Sequence, residues 1–60
     1  MDDDTTVDMT IVVRVWREPH DREVRSRLVV VGSDEAVTAR GVSEIERALR
    51  SLIARFNAAH

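Results

Sequence analysis

The stretch VSEIERALRSLIARF, residues 42–56, decides the fold. Within it Val42, Ile45, Leu49, Leu52 and Phe56 recur at steps of three and four, and Ala48 and Ile53 widen the stripe. That spacing sets them on one face of an α-helix and leaves Glu44, Glu46, Arg47, Arg50, Ser51 and Arg55 on or beside the solvated face. Ser43 and Glu46 have the spacing of a capping box, which satisfies two backbone N–H groups at a helix start. Glu44 precedes Arg47 by three and Glu46 precedes Arg50 by four, the spacings of weak surface ion pairs. The helix is predicted to end near Asn57. Its apolar stripe needs a second layer to cover it, and the preceding residues are written as that layer.

Residues 9–18 are rich in β-formers and short enough for one strand. Met9, Ile11, Val13 and Val15 point to one side, and Thr10, Val12, Arg14 and Trp16 to the other. Pro19-His20-Asp21-Arg22 breaks the run as a hairpin loop, because proline presets φ and aspartate tolerates turn geometry. Residues 23–31 read as the returning strand, with Val24, Ser26, Leu28 and Val30 on one face and Arg25, Arg27, Val29 and Val31 on the other. Gly32-Ser33 is predicted to form a tight two-residue turn with glycine at its first central position. Residues 35–40 make a short third strand with Val37 and Ala39 inward and Ala36, Thr38 and Arg40 outward. Gly41 frees the chain to enter the helix. The predicted fold is α+β: a three-stranded antiparallel meander with one C-terminal amphipathic helix, βββα, packed on one face. The competing arrangement is ββα, with residues 33–41 as loop.

Sixty residues allow one small domain, near the lower end of what folds unaided. Residues 1–8 are acidic and without periodicity, and are expected to be a disordered tail ahead of a single domain over 9–60. The chain has no cysteine, which excludes disulfides and thiolate metal sites. His20 and His60 are far apart, one in a turn and one at the end, so no metal site or cofactor is expected. Association is then the remaining way for so small a domain to bury more surface, and a homo-oligomer, most simply a dimer, is expected. No apolar run is long enough for a membrane span. With an acidic rather than basic N-terminus, the expected location is the cytoplasm.

The net charge is −2, but Asp2, Asp3, Asp4 and Asp8 hold four of the eleven acidic residues. The body from residue 9 on is therefore mildly basic, and all nine of its basic residues are arginine. Matching the two inner faces of the first hairpin pairs Val13 with Leu28, Arg14 with Arg27 and Trp16 with Arg25. With Gly32-Ser33 as the second turn, Arg40 falls opposite Arg25; shifting the turn by one residue places it beside Arg27. The outer face thus gathers Arg14, Arg25, Arg27 and Arg40 around Trp16, and like charges opposite one another are unfavourable unless water or an anion attends them. Glu18 opposite Glu23 is a second like-charge pair, at the loop end.

Three uses of this face compete. It can be a solvated surface with Trp16 under arginine stems. It can be an oligomer interface, with Val12, Trp16, Val29 and Val31 as the buried part. It can bind nucleic acid through Arg14, Trp16, Arg25, Arg27 and Arg40, since arginine forks suit phosphates and an exposed indole stacks on bases. The modest basic balance ranks nucleic acid behind protein association. There is no glycine-rich phosphate loop, and no Ser/His/Asp or paired-carboxylate spacing stands out; His20 beside Asp21 is first of all a turn pair. The sequence therefore leads to a small non-enzymatic interaction module that self-associates and binds a protein partner. The interface is expected on the outer sheet face or an edge strand.

Overall fold

The computed structural model describes residues 6–59, so Asp2, Asp3 and Asp4 of the acidic tail, and His60, lie outside the described residues. Three antiparallel strands form one open sheet in the order β1-β2-β3: β1 (Ile11–Trp16), β2 (Arg25–Val30) and β3 (Ala36–Arg40). One helix, α1 (Val42–Ala59), follows and packs on the sheet. This is the βββα arrangement, and residues 36–40 are a strand rather than the loop of the ββα alternative.

The register follows the hydrophobic alternation. Val13 faces Leu28, Arg14 faces Arg27 and Trp16 faces Arg25, while Leu28 faces Val37 and Arg25 faces Arg40. A slip of one residue would carry Leu28 to the outer face, so burial of that side chain pins the register. Leu28 is fully buried, and Ser26 beside it is buried with its hydroxyl donating to the Ala39 carbonyl at 3.3 Å. Leu52, on the helix, is also buried, near Met9 and Val30.

The strands are shorter than the sequence pattern suggested, and the second turn is built differently. Ser33 N–H donates to the Val30 carbonyl at 3.2 Å, so the β-turn runs over 30–33 with Gly32 at its third position. Gly32 takes φ +86°, the left-handed value that position demands in a type II turn. Val31 therefore sits in the turn, not in β2. Val30 still pairs with Glu35, through a 3.3 Å bond to the Glu35 carbonyl, which is why the register survives the change of turn.

The helix start also differs. The Gly41 carbonyl accepts from Ile45 N–H at 3.1 Å, which makes Gly41, at φ +83°, the capping residue. Glu44, not Glu46, is then the carboxylate that reaches back, accepting from Arg40 N–H at 3.0 Å. Neither predicted helical ion pair closes. Glu44 is drawn to the Arg40 amide instead, and Arg55, a member of neither pair, meets Glu35.

The main departure concerns coverage. The helix backbone lies over β3 and β2 and stays farther from β1. A helix about 10 Å wide covers roughly two strands spaced about 4.8 Å apart. The single-residue link from β3 starts it directly above that edge. Met9, Ile11, Val13 and Val15 were expected to share the core; in β1, Val13 and Val15 are on the inner side but 39% and 53% exposed. On the helix, Val42 and Ile53 are likewise 65% and 49% exposed rather than core. Glu44 and Arg55 engage β3 and the residue before it, so the opposite flank, which carries Val42 and Ile53, is turned toward β1. Apolar surface from the first strand and from the helix thus lies open on the same side.

Leu28→Ala should cost about 2–5 kcal/mol, the usual range for emptying a filled core site. Val15→Ala should cost less than about 1 kcal/mol, as for a surface position. Urea unfolding at a dilution where the mass is that of one chain checks both; equal costs would mean that β1 is covered.

Candidate functional site

The outer face is built in three rows across the sheet. Val12, Val29 and Ala36 form one row, Arg14, Arg27 and Thr38 the next, and Trp16, Arg25 and Arg40 the third. The strand alternation that turns Leu28 inward turns all of these outward. The structure brings the sequence-predicted residues Arg14, Trp16, Arg25, Arg27 and Arg40 together at one end. Val12 and Val29 pair at the other. Val31 stands near them, in the turn, where its N–H donates to the Thr10 carbonyl at 2.9 Å.

Each crowded charge has found a neighbour of its own, with one exception. Arg25 is held by Asp21, whose Oδ2 accepts from Nε at 3.1 Å and lies 3.0 Å from the second guanidinium nitrogen. Arg40 Nε lies 4.0 Å from Glu23. The Arg14 guanidinium carbon sits 5.5 Å from the centre of the Trp16 ring, a cation–π distance. The indole N–H donates to Glu18 at 3.1 Å. Arg27 has no ion-pair partner among the described residues. Glu18 and Glu23, which the sequence sets opposite each other, are each engaged elsewhere, one by the indole and the other toward Arg40. An open hollow reaches in from this end, lined by Trp16, Arg25, Arg40 and Glu44 and by Ser26, Thr38 and Ala39.

The residue that sequence reasoning did not single out here is Asp21. It caps its own loop by accepting from Glu23 N–H at 3.1 Å, while Asp21 N–H donates to the Glu18 carbonyl. The Glu23 hydrogen bond first, and then Arg25, hold its carboxyl below the ordinary 3.8. The available signal was its spacing, four residues before Arg25 and two before Glu23. That spacing has no face to declare itself on in a loop, unlike the same spacing on a helix. His20 is exposed in the same loop.

The chain matches no protein-family model, and no curated protein or solved structure resembles it closely. Among the described residues no helix is long and apolar enough to cross a membrane, and no three metal-ligating side chains converge.

A carboxyl whose folded pKa is lowered adds stability above its unfolded value, and loses it as the pH falls through the folded value. Asp21→Asn should therefore lower the melting temperature at neutral pH, and the gap from the native chain should close as the pH drops below 3.8. Thermal melts between neutral and acid pH check this; a gap that persists in acid would assign Asp21's role to its neutral hydrogen bonding.

Proposed function

We propose that this chain is a small non-enzymatic interaction module that self-associates and binds a protein partner, acting in the cytoplasm. The observation that carries the reading is the half-open apolar layer. Leu28 and Leu52 are the fully buried apolar side chains among the described residues, while Val13 and Val15 of β1 and Val42 and Ile53 of α1 face water. Contiguous apolar surface of this kind is a mark of association sites. The Val12 and Val29 pair, with Val31 beside it and Trp16 further along β1, supplies a second apolar patch on the outer face for a protein partner.

The second reading, nucleic-acid binding, draws on Arg14, Trp16, Arg25, Arg27 and Arg40 together. Ion pairing weighs against it. Asp21 already occupies Arg25 and Glu23 approaches Arg40, so phosphate would have to displace carboxylates to use those two forks. Arg27, without an ion-pair partner among the described residues, and Arg14 over Trp16 are what favour it.

Sedimentation equilibrium over a wide concentration range is expected to show the mass rising from one chain toward two. A constant single-chain mass would overturn self-association. Binding to random-sequence RNA that falls steeply with salt and is lost in an Arg14→Glu/Arg27→Glu variant would move the second reading to first place. No binding at low salt would remove it.

A further inference from the structure

We infer that two copies of this chain join β1 to β1, antiparallel about a two-fold axis at Val13, to make one six-stranded sheet. This rests on the self-association proposed above and names its contact.

The first argument is which backbone groups are open. Val31 N–H bonds to the Thr10 carbonyl, so Thr10, Val12, Arg14 and Trp16 aim their polar groups at β2. Ile11, Val13 and Val15 then aim theirs at the other edge, since β2 is the one neighbour of β1 among the described residues. The strand carries no proline, no bulge and no charge on the inner face, and its one charged side chain, Arg14, lies on the outer face. The other edge is guarded. Gly41 and Val30 bond across β2 and β3, which leaves Ala36, Thr38 and Arg40 pointing outward, and Arg40 N–H is already taken by Glu44.

The second argument is register. A two-fold axis places one residue opposite itself, and the edge-pointing residues must meet edge-pointing residues. Centres at Val13 and at Arg14 each overlap five residues of each β1, while the next centres along overlap three. Centring on Arg14 sets two guanidinium groups face to face, which is unfavourable. Centring on Val13 sets Ile11 against the partner's Val15 on the inner side and Val12 against the partner's Arg14 on the outer side. Each of the three edge-pointing pairs then exchanges two hydrogen bonds. Both helices fall on the same side of the sheet. The half-exposed Val13 and Val15 of the two copies lie side by side between them, with Val42 and Ile53 turned toward that floor.

Amide exchange by NMR on the native chain tests this. Where the dimer dominates, Ile11, Val13 and Val15 N–H should exchange at least about tenfold more slowly than at dilution, because an open edge offers no protection. Val13→Pro removes one of these donors while leaving the β2 ladder its own, and should give a single-chain mass with an unchanged far-ultraviolet spectrum. If that variant does not fold, Val13→Cys serves. Paired Cα atoms about 5.5 Å apart are within disulfide reach, so oxidation should yield a covalent dimer, and Val31→Cys should not. A dimer with fast-exchanging β1 amides and no covalent link at position 13 would overturn this contact and leave self-association standing. A single-chain mass at every concentration would overturn both.

Discussion

One helix cannot cover three strands, and most of what is distinctive in this protein follows from that. The link from β3 is a single glycine, so α1 begins over the β3 edge and its width is spent on β3 and β2. Among the described residues the buried side chains are Leu28 and Ser26 of β2 and Leu52 of α1. On the β1 side, Val13 and Val15 remain open to water, while Met9 and Ile11 are half-buried. In a chain so short, with little surface buried per residue, such an uncovered strand is a large fraction of the apolar area that could stabilise the fold. The association proposed above would cover it with a second layer from outside.

The opposite face is governed by electrostatics on a smaller scale. Four arginines and a tryptophan share two rows of the sheet, which would repel if nothing intervened. The first hairpin loop intervenes. Its Asp21 is fixed by its own loop amides and holds Arg25, and Glu23 turns toward Arg40 and Gly41. These pairs are solvent-exposed and individually weak. Their effect is to lower the local charge and so reduce the pull of this face on polyanions. The same loop therefore shapes both the hairpin and the character of the surface beside it, which is why association through apolar surface ranks above nucleic-acid binding.

Much of this was legible in the residues. Alternation in residues 9–18 and 23–31 defined two faces, and matching them paired Val13 with Leu28 and Arg14 with Arg27, as found. Periodicity in residues 42–56 defined the helix and its stripe. The arginine cluster around Trp16 was legible for the same reason, since strand parity assigns every side chain to a face. Three details were not. The turn at Gly32 and the cap at Gly41 each admit more than one hydrogen-bonding pattern for the same residues, and the pattern realised depends on what the neighbouring strand offers. Asp21 acts through a loop, where spacing along the chain does not determine direction.

The sequence by itself determined the helix, the first hairpin with its register, and which side chains share a face, and left the third strand and its register open. The reason is local: these follow from repeats of two and 3.6 residues that any short window contains. Only the tertiary structure decided where the helix lies across the sheet. That placement depends on the length of the β3–α1 link and on the widths of helix and strand, which no periodicity encodes. It separates Leu28 and Leu52, which are buried, from Val13, Val15, Val42 and Ile53, which the same patterns mark as inward but which water still reaches.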